Sequence, residues 1–203
     1  MKKILLVSII LLALPSLMNA QFGMKVGFNL SYFNGSNDFV SNRSSRIGFQ
    51  GGLMYKIPIK DDVFSIQPEI IVIQKGGQFT IEQYKVDAKL DYIEFPILGM
   101  FNILGGLLNL QAGPQFSWLN RAEYKYTDEN NITNSFDDKE LDNYKTFDIG
   151  VVLGVGLELE IVTIEARYSV GFLEVERKFE YNGQPIDPAS KNFNAQFIIG
   201  YYF

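Results

Sequence analysis

Glu69 and Glu94 lie on the polar side of two successive apolar-alternating segments, and carboxylates so placed could in principle divide acid and base roles between them. Nothing in their spacing brings them together, and the usual helpers are missing, because the chain has no histidine and no cysteine. Ser-His-acid and Asp-His hydrolytic schemes thereby lose the imidazole that moves the proton. Disulfides, thiolate metal sites, cysteine nucleophiles and a lipid anchor on an N-terminal cysteine are excluded in the same way. The expectation is a protein without enzymatic activity and without a cofactor.

Other charged side chains share the phase of these two glutamates. Lys25, Lys56, Lys75 and Arg167, with Glu69, Glu94, Asp148, Glu158 and Glu165, all fall on the polar side of their segments. If that side lines a narrow lumen, opposite charges will pair, because an unpaired charge in low dielectric costs several kcal/mol. Such a set would form a salt-bridged plug that sets register and blocks flow, with a narrow ion-conducting path as the functional alternative. A second chemical candidate is the stretch from Ala122 to Tyr144, where Glu123, Asp128, Glu129, Asp137, Asp138, Glu140 and Asp142 outnumber Lys125 and Lys139. Clustered carboxylates and amides could take calcium through oxygen. No glycine-punctuated calcium loop is present, and a solvated charged surface is the plainer alternative.

The elements that must position these residues follow from a period of two. Outward candidates in the first segment are Phe22, Met24, Val26, Phe28, Leu30 and Tyr32, and in the second Ile47, Phe49, Leu53 and Tyr55. The third has Phe64, Ile66, Pro68, Ile70 and Val72, the fourth Ile93, Phe95, Ile97 and Phe101, and the fifth Leu108, Leu110, Ala112, Phe116 and Trp118. The sixth runs through Phe147, Ile149, Val151, Leu153, Val155 and Leu157, and the seventh through Val162, Ile164, Ala166, Tyr168, Val170 and Phe172. Phe193, Ala195, Phe197, Ile199, Tyr201 and Phe203 make the eighth, which closes the chain on an aromatic residue. The residues between them are glycine, serine, short amides and the charges named above. Strict alternation over so many segments is a strand signal that a helix cannot imitate.

Volume decides which face points outward. An eight-stranded barrel is only just wide enough inside for side chains, and the aromatic rings of the apolar face would not all fit there. The fold expected is all-β, an eight-stranded antiparallel up-and-down transmembrane β-barrel, with a soluble ligand-binding barrel as the alternative. Phe22, Tyr55, Phe64 and Phe101 on one rim, and Tyr32, Trp118, Phe147 and Phe172 on the other, suit interfacial girdles. Joins expected to be short, at 58–62, 104–106 and 159–160, alternate with long polar joins at 34–45, 76–89, 120–145 and 174–191. That rhythm matches periplasmic turns and extracellular loops with both termini periplasmic.

Residues 1–20 read as a cleaved signal peptide, with Lys2 and Lys3 ahead of a short apolar run and Ala20 before the cut. Residues 21–203 form the barrel domain. The apolar run is too short to span a bilayer as a helix. With 18 Lys and Arg against 23 Asp and Glu, the net negative charge argues against nucleic acid as a partner.

The segments Gly23-Met-Lys-Val-Gly-Phe-Asn-Leu-Ser31, Gln67-Pro-Glu-Ile-Ile-Val-Ile-Gln-Lys-Gly76 and Leu90-Asp-Tyr-Ile-Glu-Phe-Pro96 resemble successive strand signatures of the PorT-like outer-membrane β-barrel family. Phe147-Asp-Ile-Gly-Val-Val-Leu-Gly-Val-Gly156 and Glu165-Ala-Arg-Tyr168 resemble its later strands. The resemblance covers nearly all of residues 21–203 and implies an eight-stranded barrel of the bacterial outer membrane. Most such proteins have no established activity, so it speaks to fold and location more than to function. It also implies recognition of the last strand, through Phe197, Ile199, Tyr201 and Phe203, by the barrel-assembly machinery. The expected partners are outer-membrane lipid, that machinery during biogenesis and an envelope or extracellular protein reached through the long loops, the chain itself being a monomer. An accessory role in protein secretion is the alternative that the family suggests.

Overall fold

The structure, a computed structural model, describes residues 21–34, 41–60, 63–81, 84–127, 133–138, 146–174, 179–181, 184–186 and 191–203. The proposed signal peptide lies outside them. Almost everything described is strand. In chain order these are β1 (Gln21–Asn34), β2 (Ser41–Lys60), β3 (Phe64–Ile81), β4 (Tyr84–Ile103), β5 (Leu108–Thr127), β6 (Thr133–Asp138), β7 (Phe147–Leu159), β8 (Val162–Glu174), β9 (Phe179–Tyr181), β10 (Gln184–Ile186) and β11 (Lys191–Tyr202).

Eight of them close a ring. β1 to β5 pair in sequence, β5 continues to β7, β7 to β8, β8 to β11, and β11 returns to β1, every pair antiparallel. Closure gives each backbone N–H and C=O in the ring a neighbour, which a strand structure needs in lipid. The first and last barrel strands meet at one rim, where the Phe203 N–H donates to the Phe22 carbonyl at 2.8 Å. The alternating side chains face as expected: Phe49 is 69 % exposed and Phe203 66 %, while Lys25, Glu69, Glu94 and Arg167 are each at most 5 % exposed. The apolar face is the outside of the barrel.

Two aromatic girdles bound that apolar band. At the terminal rim Phe22 stacks on Phe203 with ring centroids 5.8 Å apart, and the register pairs Phe22 with Tyr55 and Phe64 with Phe101. At the opposite rim Trp118 lies 4.8 Å from Phe147, and Tyr32 stacks on Phe193 at 5.2 Å. The short turns fall at the terminal rim, including Leu104–Gly106, where Gly105 and Gly106 take positive φ, a conformation open mainly to glycine.

The far rim departs from expectation. The long joins expected at 76–89 and 120–145 are largely strand: β3 runs to Ile81, β4 restarts at Tyr84, and β5 runs to Thr127 before β6 pairs with it. The join at 34–45 is entered by β2 from Ser41, and that at 174–191 contains the β9–β10 hairpin. β2 to β5 thus have 18 to 20 residues each and the other barrel strands 12 to 14. A membrane strand needs only roughly 9–11 residues, so a sheet built from β3, β4, β5 and β6 stands proud of the barrel. Charged residues at every second position, Lys85, Asp87, Lys89 and Asp91 on β4 and Arg121, Glu123 and Lys125 on β5, make these stretches read as polar joins, although the residues between them alternate in phase and Ala88, Leu90 and Ala122 are buried.

The interior also differs from a purely polar lining. Ile71, Ile73, Leu90, Tyr92, Leu119 and Ala122 form one buried apolar cluster, and Leu98, Met100 and Val152 form another. Both occupy the inward phase, so these residues read in sequence as breaks in the alternation, not as core.

Candidate functional site: the charged lumen

Four of the candidate charges meet in one network. Lys25 Nζ lies 2.7 Å from Glu69 Oε1 and 3.1 Å from Glu165 Oε2. Arg167 donates from Nη1 to Glu69 Oε2 and from Nη2 to Glu69 Oε1, both at 2.8 Å, and its Nη2 is 2.7 Å from Glu165 Oε2. The side chains come from β1, β3 and β8, and all four are 0–2 % exposed. Two cations and two carboxylates balance, which is the condition for keeping charge in a low-dielectric interior. Neutral groups complete the shell: Gln67 Nε2 donates to Glu69 at 2.6 Å, Thr163 Oγ1 to Glu165 at 3.2 Å, and Tyr202 OH to Gln67 Oε1 at 2.8 Å.

Glycines make room for these long side chains. In the register Lys25 stands beside Gly200 on one neighbouring strand and Gly52 on the other, Arg167 beside Gly154, and Glu165 beside Gly156. A Cβ on Gly154 would come within 2.8 Å of Arg167 Cγ. Glycine in a strand interior often marks such a close approach.

The other candidates divide into separate groups. Lys75 Nζ is 2.5 Å from Glu94 Oε1, and Glu94 also accepts from Gln115 Nε2 at 3.0 Å and Ser117 Oγ at 3.1 Å. Lys75 lies 5.5 Å from the centre of the Tyr92 ring, and Tyr92 OH accepts from Asn192 Nδ2 at 3.3 Å. Nearer the terminal rim Lys56 pairs with Glu158, whose second oxygen accepts from Asn109 Nδ2 at 3.3 Å. Asp148 joins no ion pair among the described residues. It accepts the Leu173 backbone N–H at 3.1 Å, serving a β8 backbone donor where the sequence suggested a member of the charge network.

Glu69 and Glu94 therefore do not form an acid–base couple: Glu69 is held by Lys25 and Arg167 and Glu94 by Lys75, and each also accepts from neutral donors. Gln67, Tyr92, Asn109, Gln115, Ser117, Thr163, Asn192 and Tyr202 were missed as partners, although their parity along each strand already put them on the inward face. Of the acidic stretch after Ala122, Glu123 is described with three cations around it, and its other carboxylates lie outside the described side chains.

A closed barrel with an apolar exterior, girdled rims and an ion-paired interior is the architecture of an outer-membrane protein. The model of the family described as outer membrane protein beta-barrel domain matches residues 16–176. The chain belongs to that family. Among curated proteins none matches the sequence. Among solved structures the outer-membrane β-barrel is similar to Ail, the attachment invasion locus protein of Yersinia pestis, at 11 % identity and a TM-score of 0.52, over 91 % of this chain and 99 % of that one. It is also similar to Neisserial surface protein A, at 13 % identity and a TM-score of 0.56, with the same coverage. At such identities the likeness concerns the fold alone. Family and fold together place the protein in the outer membrane.

Proposed function

We propose that this outer-membrane β-barrel is a monomeric, non-enzymatic scaffold that holds the β3–β4–β5–β6 sheet outside the cell as an interaction surface. The observation that carries this reading is the contrast between the two ends of β3, β4 and β5. Within the apolar band their inward side chains are locked in ion pairs and apolar clusters, and beyond it the strands continue with no membrane to span. Ion pairs and packed Leu98, Met100 and Val152 leave little scope for the continuous file of water that a pore requires, which favours the scaffold over the pore.

In the same reading the signal peptide is cleaved after Ala20 and both termini are periplasmic, so the protruding sheet is extracellular. Phe197, Ile199, Tyr201 and Phe203, on the lipid face of β11 at the barrel seam, serve as the assembly signal. The motifs quoted above support a PorT-like affiliation, and with it an accessory role in protein secretion as the alternative use of the same surface. The test exploits the absence of cysteine. A single Lys85→Cys variant is treated on intact cells with a membrane-impermeant maleimide. Labelling without permeabilisation supports an extracellular sheet, and labelling only after the outer membrane is opened refutes it.

A further inference from the structure

The outer surface ends differently at the two rims. At the far rim the outward positions that follow Ile93 on β4 are Asp91, Lys89, Asp87 and Lys85, so charge begins where the apolar band stops. At the terminal rim the apolar surface runs on past the aromatic girdle and over the turns. Each of the three short turns has an apolar residue on either side: Ile59 and Val63 at the β2–β3 turn, Leu104 and Leu107 at the β4–β5 turn, and Leu159 and Ile161 at the β7–β8 turn. All six are 44–75 % exposed. The charges of these turns, Lys60, Asp61, Asp62 and Glu160, fall between the flanking residues in the chain. Turns ordinarily carry glycine, proline, asparagine, aspartate or serine. Leu104, the most exposed of the six, also takes a φ of 54°, a left-handed conformation uncommon outside glycine, asparagine and aspartate. A leucine held there against backbone preference calls for an apolar surrounding.

Position decides what that surrounding is. Ile59 lies four residues beyond Tyr55, and Leu104 three residues beyond Phe101, so in strands tilted by roughly 45° they sit about 7–10 Å past those rings along the membrane normal. The headgroup zone is roughly 5–8 Å deep, so the turns end within it or at its outer edge. The three turns and the Phe22–Phe203 stack at the β1–β11 seam take in all eight barrel strands, and apolar side chains therefore ring the rim on every side. A ring matches lipid, which meets a barrel from all directions, and this one is continuous with the lipid-facing band, Val63 preceding Phe64 and Leu159 following Leu157 in the outward phase. We infer that Ile59, Val63, Leu104, Leu107, Leu159 and Ile161 form an apolar collar that seats the terminal rim in the headgroup layer of its leaflet and sets the depth at which the barrel rides. Sliding toward the terminal side would strip the collar of lipid and draw Asp91 and Lys89 toward hydrocarbon, and sliding the other way would draw in Glu160, both unfavourable for charge on a lipid face. The inference uses the outer-membrane placement alone and holds whichever way the termini face.

The test folds the full barrel into phosphatidylcholine vesicles, using single Leu104→Cys, Ile161→Cys and Lys85→Cys variants of a chain that has no cysteine of its own, each labelled with an environment-sensitive fluorophore. With iodide on both sides of the bilayer, quenching at positions 104 and 161 should be at least about threefold weaker than at position 85, and lipids brominated near the headgroup should quench those two labels more than lipids brominated near the chain end. A collar variant, Leu104→Ser, Leu107→Ser, Ile161→Ser, should let the barrel slide toward the terminal side and carry Trp118 deeper, raising its quenching by the deep bromine label about twofold. Iodide quenching at 104 and 161 equal to that at 85 overturns the inference and would mark the collar as a docking surface for a protein in water. An unchanged Trp118 depth in a collar variant that still shows the boiling-dependent gel shift overturns the depth-setting role. If that variant does not fold, the single-cysteine labels decide alone.

Discussion

Glu69 on β3 and Arg167 on β8 face each other across the lumen in a two-pronged pair, each guanidinium Nη reaching a different carboxylate oxygen at 2.8 Å. The pair also ties in Lys25 and Glu165, so the wall of β1 to β3 is joined to that of β8 through the interior as well as around the ring.

Glu69→Gln should therefore be among the most damaging conservative changes. It leaves Arg167 and Lys25 facing a single carboxylate in the dry interior, and breaking a buried pair in this way typically costs about 3–5 kcal/mol. Equilibrium urea unfolding in vesicles measures it. A loss below about 1 kcal/mol would mean that water reaches the network and screens it.

Planar bilayers distinguish plug from pore. The parent should show no steady conductance, and joint replacement of Lys25, Glu69, Glu165 and Arg167 by alanine should open an ion path, provided that the variant still folds by its boiling-dependent gel mobility. Discrete channels in the parent would reverse the assignment.

Gly27 faces a neighbouring strand so closely that a Cβ would run into the Phe197 carbonyl. Gly27→Ala should cost about 1–3 kcal/mol by forcing β1 away from β11, with the loss seen as a lower midpoint of unfolding. Gly105→Ala offers a contrast, because nothing lies within 4 Å of its added methyl and only its φ of 67° resists, so the loss there should be smaller.

Replacing Phe203 with aspartate removes an aromatic that stacks on Phe22 at 5.8 Å and puts charge on the lipid face of the closing strand. Outer-membrane insertion of that variant should fall, as read by fractionation. Normal insertion would show that the aromatic end of β11 is not the assembly signal.

Trp118 is the only tryptophan in the chain and lies at the rim opposite the termini, 53 % exposed. Its fluorescence should shift to the blue on insertion and be quenched more by lipids brominated near the headgroup than near the chain end. Stronger quenching by the deep label would remove Trp118 from the girdle.

Most of the barrel was legible because lipid enforces contrast. Where one face of a strand meets hydrocarbon and the other a crowded polar lumen, as along Phe22 to Tyr32, the alternation is plain in the residues themselves. Elsewhere the pattern misleads. The extension of β3 and β4 reads as loop because Lys85, Asp87 and Lys89 crowd it with charge, although Ala88 and Leu90 between them are buried, and Leu98 and Met100 read as irregularity because apolar residues there face inward. The candidate charges were visible as a set sharing one phase, but their sorting into a four-membered network, two further pairs and an Asp148 that accepts a β8 backbone N–H was not.

Side-chain order along the chain was enough to determine eight strands, an apolar face turned outward and charges turned inward, since each depends only on local parity and on solvent. Partnership was decided by closure. Lys25 and Glu165 are 140 positions apart and meet only because β11 pairs with β1 on one side and with β8 on the other. The register of that return determines which charge faces which, and an alternation of period two cannot encode it.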